Sequence, residues 1–280
     1  MIPLRDDNPT FHPCFMTVGL IVVNVLVFLV ELSQGPDLQR FVWKYGYVPA
    51  ELVSSRADLR RAMIENAPER PVVDRHGRIR VDFFGNPITR RVDLPFDDAV
   101  AIPAWINIFT GMFLHGGWLH LLGNMLYLWI FGNNIEDRLG PVLFIIFYLA
   151  TGVAGNLAHT FFDSAAVPLV GASGAISGVM GGYILLFPHA RVLAGVPFGW
   201  YLFTVKLPAW VFLGVYYLMQ NLSGALRGAL ADHGDSVAYL AHIGGFVAGI
   251  ALIYAFPHRA VPRFARPVPA YDDDDADIVI

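Results

Sequence analysis

Apolar residues in this chain come in long unbroken runs rather than in short periodic stripes. Six segments contain no Asp, Glu, Lys or Arg over about 20 residues or more: 8–30, 99–135, 139–162, 164–190, 207–226 and 236–258. A helix that crosses a bilayer needs about 20 mostly apolar residues, and one charged residue at its centre costs roughly 2.5 to 3.5 kcal/mol on insertion scales. Trimmed at Pro, Gly and polar residues, the runs predict six membrane helices near 16–33, 116–134, 141–162, 171–187, 207–222 and 238–256. The second run is too long for one span and too short for two with a connection. Its first part, Ala99 to Gly117, is therefore expected at the membrane interface, where Trp105 and Trp118 are well placed. The first run lacks a basic start and a small-residue cleavage motif, so it is expected to stay as a membrane helix.

The expected fold is an all-α polytopic membrane protein with six transmembrane helices and a long first extramembrane loop. Residues 1–15 form a short leading segment, 16–256 the membrane domain and 257–280 an acidic tail, expected to be disordered, that carries Asp272 to Asp275. The long loop covers 34–115, with an insertion at about 54–95, and turn-like Arg75-His76-Gly77 and Gly85-Asn86-Pro87 predict a small hairpin between Val72 and Val92. The short connections on the side of both termini hold Arg5, Arg138, Arg191, Lys206, Arg259, Arg263 and Arg266, against Arg227 alone on the other side. The excess of Lys and Arg puts both termini in the cytoplasm, and the membrane reads as a bacterial plasma (inner) membrane. Eleven basic residues in the long loop do not alter this, because long loops translocate largely regardless of charge.

Composition agrees with the runs. The chain is 55% hydrophobic and 15% charged, with a mean hydropathy of +0.52, whereas soluble domains carry about 25% charged residues. An ordinary soluble enzyme is excluded. The net charge of −4, with no basic patch interleaved with aromatics, excludes a nucleic-acid partner. Cys14 is the single cysteine, which leaves no intramolecular disulfide and no cysteine metal cluster. No cofactor is called for. No internal repeat suggests an inverted-repeat transporter, and that class is the weakest of those weighed.

Strongly polar side chains inside spans are costly, and each is a functional candidate. The second, fourth and sixth predicted spans run in the same direction, which brings His120, Asn124, Ser173 and His242 to one layer, about 3 to 12 Å below the outer helix starts at 1.5 Å per residue. Gly174, Gly178 and Gly182 recur every four residues, as do Ala241, Gly245 and Gly249, so two small-residue seams are available for close packing. If the seams meet, Ser173 and His242 come within hydrogen-bond reach as nucleophile and general base. His120 and Asn124 are one turn apart, and their N–H donors, with the Ser173 backbone N–H, suit an oxyanion hole. Alone, each has a plainer reading: Ser173 as a packing residue, and His120 with Asn124 as polar glue. His115 and His159 read as packed or interfacial histidines before ligands or stabilisers, Asn156 as polar glue, and Asp232 and Asp235 as solvated loop residues before a third member beside Ser173 and His242. No His-Glu-x-x-His sequence and no intramembrane Asp pair occurs, so metalloprotease and aspartyl protease chemistry lack their residues.

Taken together, these residues resemble the rhomboid family of intramembrane serine proteases. Gly171-Ala172-Ser173-Gly174 is similar to its nucleophile motif, Ala241-His242-Ile243-Gly244-Gly245 to its base motif and His120-Leu121-Leu122-Gly123-Asn124 to its oxyanion motif. Phe113-Leu114-His115-Gly116 and Gly132 to Gly140, with Glu136 and Arg138, resemble family segments flanking the second span. The resemblance covers roughly 14–256. It implies a six-helix rhomboid-like bundle and a Ser173–His242 dyad in a cavity opening outward. It also implies cleavage of single-span membrane proteins near the outer face, with the fifth helix and the loop around Asp232 acting as gate and lid. The alternative is a noncatalytic relative that binds membrane clients. Two features depart from the family: the first loop is longer than the family minimum by an insertion at about 54–95, and an aromatic that often stacks on the base histidine is replaced by Ser177, so His242 must be oriented in another way, with Ser177 itself as a candidate. Substrate identity, substrate-binding residues and oligomeric state stay open.

Overall fold

The computed structural model describes residues 1–65, 69–74, 78–81, 87–91, 96, 100–163, 166–198, 201–217, 219 and 239–259. It opens with strand β1 (Ile2–Asp6) and helix α1 (Phe15–Ser33). In α1 the residues turned inward are Thr17, Leu20, Asn24, Phe28 and Glu31, spaced three or four apart, while Val22, Leu26 and Leu29 are exposed. Three of these five inward residues are polar while the exposed ones are aliphatic, the pattern expected against lipid. Helices α2 (Leu38–Tyr45), α3 (Ala50–Val53) and α4 (Arg56–Glu65) follow, and Trp43, Val48, Leu59 and Met63 pack with Ala166 into a small separate core. Strands β2 (Glu69–Pro71) and β3 (Thr89–Arg91) pair antiparallel, with bridges Val73–Ile79 and Val81–Pro87 between them. The insertion thus holds the strand pairing expected there, though its turns lie outside the described residues.

Helix α5 (Ala104–Thr110) leads to α6 (Trp118–Tyr127), which runs on through a π-helical turn, Leu128–Gly132, into α7 (Asn133–Leu139). Trp105 and Trp118 are both exposed, as an interfacial position requires. The second helix therefore starts near the expected place but continues five residues past 134, because Gly140 and Pro141 end it rather than the polar Asn133. Those extra residues tie the chain's start to the bundle. Glu136 accepts from Met16 N (2.9 Å), Thr17 N (2.7 Å) and Thr17 Oγ1 (2.7 Å), capping α1 from a neighbouring element, and Asp137 accepts from Phe11 N and His12 N.

Helix α8 (Pro141–Phe162) precedes α9 (Ser173–Leu186), and then the chain departs from expectation. Strands β4 (Arg191–Phe198) and β5 (Tyr201–Pro208) form a hairpin that joins β1 in a sheet of order β1-β4-β5, so the chain is mostly helical rather than all-α. The fifth helix, α10, begins at 209 instead of 207 and is described to 217. The cause lies in the side-chain period. Val192 and Ala194 alternate into the core, and their cross-strand partners Leu207 and Val205 share that face, a two-residue repeat that a count of charge-free residues does not register. Helix α11 (Tyr239–Ala255) closes the described bundle. By length and hydropathy, α1 and α8 are each able to cross a membrane, while α9 and α11 are shorter apolar helices. Asp232, Asp235, Arg227 and the tail from 260 lie outside the described residues.

Candidate active site

Two glycine stripes bring the site together. A Cβ on Gly245 would collide with the Gly174 carbonyl oxygen, and one on Gly249 with that of Gly178, so α9 and α11 meet backbone to backbone along the seams. Helix α8 joins them: a Cβ on Gly155 would lie 2.5 Å from the Ala241 carbonyl oxygen. At one end of this seam His242 Nε2 lies 2.7 Å from Ser173 Oγ. Ser173 is the first residue of α9, so its N–H has no partner within the helix. The preceding Gly171 has φ of 125°, a conformation that disfavours a side chain, and a Cβ there would meet the His120 ring at 2.8 Å.

His120 and Asn124 reach the same cavity from α6. The cavity, of about 410 Å³, is lined by Ser173, His242, His120 and Asn124 together with Tyr216 and Ser177. Gly116 donates its N–H to His120 Nδ1 at 3.3 Å, which leaves the His120 proton on Nε2, the atom beside Gly171. Asn124 is buried, and its Nδ2 has no protein partner among the described residues. The four residues that sequence alone placed at one depth are thus gathered around one space, with a hydroxyl, a hydrogen-bonded imidazole and two N–H donors.

The remaining candidates separate. Asn156 Nδ2 donates to Ile108 O at 3.0 Å and ties α8 to α5. His115 is buried with its ring 5.2 Å from that of His120, and His159 is buried in α8. Ser177 is buried and hydrogen-bonded to Tyr217 of α10 rather than to His242. Tyr217 O–H also donates to the His242 backbone carbonyl, and its ring lies 4.2 Å from that of Phe246. The aromatic that braces α11 near His242 therefore comes from α10, a residue that sequence reasoning does not single out. Sequence reasoning misses Glu31 as well, although a carboxylate in Val27-Phe28-Leu29-Val30-Glu31 is the available signal.

Residues 103–259, more than half of the chain, match the Rhomboid domain family. Rhomboid protein 1, mitochondrial, of Saccharomyces cerevisiae is 34% identical over 244 residues, covering 85% of this chain and 52% of that protein. RHOMBOID-like protein 4 of Arabidopsis thaliana is 32% identical over 249 residues, 89% of this chain and 52% of that protein. Rhomboid protease GluP of Bacillus subtilis is 30% identical over 153 residues, 55% of this chain and 27% of that protein. The chain belongs to the rhomboid family. It is thereby an integral membrane protein of a group that includes intramembrane serine proteases acting on transmembrane substrates. It spans about half the length of the curated relatives it matches. Relatives named for mitochondria and chloroplasts stand beside bacterial ones, so the family gives the membrane without singling out the bacterial plasma membrane expected from the sequence.

Proposed function

We propose that this chain is an intramembrane serine endopeptidase that cleaves single-span membrane proteins by a Ser173–His242 dyad. The observation that carries the reading is the 2.7 Å contact between His242 Nε2 and Ser173 Oγ inside a cavity shared with His120 and Asn124. In the reaction, Ser173 O–H gives its proton to His242 Nε2 as Oγ attacks the scissile carbonyl carbon. The oxyanion is received by His120 Nε2–H, Asn124 Nδ2–H and the Ser173 N–H. The imidazolium returns its proton to the leaving amine, and water then hydrolyses the acyl-enzyme with His242 again as base. The six apolar runs form six spans, with both termini on the cytoplasmic side and the dyad near the opposite face. An intact substrate helix hides its carbonyls in hydrogen bonds, so substrates with helix-breaking residues near the cut are favoured.

The test is cleavage of a single-span substrate in proteoliposomes by wild type, Ser173→Ala and His242→Ala, matched for abundance and folding. Loss of cleavage in both variants is the expected result. Equal cleavage by all three removes the dyad, and binding of the substrate without cleavage by wild type selects the noncatalytic client-binding reading.

A further inference from the structure

Glu31 sits in the last turn of α1, and its side chain is 1% exposed while its neighbours Leu29, Val30 and Leu32 are exposed. A carboxyl group held at this depth is expensive, and the apolar run around it would pack well with Leu or Met instead. The donor that meets it is a backbone N–H from a distant segment. His115 N lies 3.0 Å from Glu31 Oε2 and 3.3 Å from Oε1.

That segment is the approach to α6; Leu114 and His115 are buried, but past His115 its sequence gives it little means of holding itself. Gly116 and Gly117 follow His115, and Gly117 has φ of 156°, so two residues without side chains join the turn to the helix that carries His120 and Asn124. Yet the Gly116 N–H has a definite partner, because it donates to His120 Nδ1. A neutral imidazole that accepts at Nδ1 is protonated at Nε2 and donates there. If the Gly116 N–H moved away, the other tautomer would become available and would turn an acceptor lone pair toward the site. A rigid anchor one residue before a flexible glycine pair is what keeps that N–H in place.

We propose that Glu31 is a positioning residue for oxyanion stabilisation. By fixing the His115 N–H it holds the Gly116 N–H on His120 Nδ1, and so keeps Nε2–H of His120 aimed at the space beside Ser173. The role rests on the protease reading above for its purpose, but the tautomer it predicts can be observed without any cleavage.

The experiment uses the full chain with wild type, Glu31→Met, Glu31→Gln and Ser173→Ala. Glu31→Met keeps the volume, removes the acceptor and relieves a buried carboxyl, so it should melt at the same temperature as wild type or higher. Its kcat should nevertheless fall about 10- to 100-fold with KM within about twofold, less than the 100- to 1,000-fold typical of deleting an oxyanion donor outright. Glu31→Gln keeps an acceptor oxygen and should recover kcat to within about threefold of wild type. Nitrogen-15 NMR of histidine-labelled protein, with the His120 signals assigned by comparison with His120→Gln, should show the Nε2–H tautomer in wild type and Glu31→Gln and a mixture in Glu31→Met. An unchanged His120 tautomer in Glu31→Met overturns the proposal, as does a drop in melting temperature with kcat intact. If wild type and Ser173→Ala are equally inactive, the protease reading fails, and the tautomer comparison still decides the part played by Glu31.

Discussion

The α9–α11 seam and helix α10 both line the cavity, yet they are built in opposite ways. Along the seam, Gly174, Gly178, Gly245 and Gly249 let backbones touch, and no Cβ fits at the last two. Helix α10 instead meets the bundle through rings: Tyr216 is 4.8 Å from Tyr127, Phe212 is 6.3 Å from Phe131 and Tyr217 is 4.2 Å from Phe246. Backbone contact has a single fit, whereas rings can slide and tilt at small cost. Ser173 and His242 belong to the side without slack. Under the proposed function, a wall that parts for a substrate helix belongs with the rings, and the contrast between these two regions can be tested directly.

The largest effect is expected from filling the seam. Gly249→Leu drives a side chain into the Gly178 carbonyl and should destabilise the protein by about 3 kcal/mol or more, since relief requires moving a whole helix. Melting in detergent, with labelling of Ser173 by a fluorophosphonate as the readout of the dyad, should show both lost together. A variant that melts normally and still labels would mean that the two helices are not in backbone contact.

Much of this architecture was legible in the chain because it rests on one-dimensional rules. The two glycine stripes and the shared depth of His120, Asn124, Ser173 and His242 follow from helical spacing, and α1 and α8 fall within a residue of where charge-free length put them. What the runs could not reveal was the 191–208 hairpin, because it falls almost wholly between the runs 164–190 and 207–226, and a strand signals itself by a two-residue period that a count of charge-free residues does not read. The bracing of α11 by Tyr217 was hidden for a different reason: it depends on how α10 is rotated, which is set by packing and not by composition. Glu31 escaped because counting charge-free residues stops at the first charge, which is where a buried one should draw notice.

Strand β1 offers a pH-dependent handle on the end of the seam away from Ser173. Asp6 accepts from Tyr183 O–H at 2.6 Å and Asn134 Nδ2 at 2.8 Å, linking α9 to α7. Burial raises its carboxyl from the usual 3.8 to about 6, even though the Tyr183 and Asn134 hydrogen bonds pull the other way. Folding therefore favours the protonated acid, so this stabilisation is complete below about pH 4 and is lost as pH rises through 6. Asp6→Asn removes the titration, and the melting temperature of the variant relative to wild type should climb between pH 4 and pH 7. A constant difference across that window would take Asp6 out of the linkage.

On the ring side the effects should be smaller. Tyr217→Phe removes the O–H that reaches the His242 carbonyl and should cost about 1 kcal/mol, a typical net hydrogen bond. Because the Nε2 to Oγ contact does not run through that hydroxyl, fluorophosphonate labelling of Ser173 should stay within about twofold of wild type. A collapse of labelling would make α10 part of the rigid side, and the contrast would fail there.

The smallest prediction reverses the sign of the first. Gly214, in the middle of α10, has nothing within 4 Å of where a Cβ would stand, unlike the seam glycines. Gly214→Ala removes backbone freedom from the unfolded chain and should stabilise the protein by about 0.5 to 1 kcal/mol, with dyad labelling unchanged. The same class of substitution then unfolds one face of the cavity and firms the other. The reason is geometric: on α11 the missing side chain is where another backbone lies, and on α10 it is open space. Should Gly214→Ala destabilise the chain by an amount comparable to Gly249→Leu, α10 must press its own backbone against a neighbour, and the division between a rigid seam that carries Ser173 and His242 and a ring-packed wall would have to be abandoned.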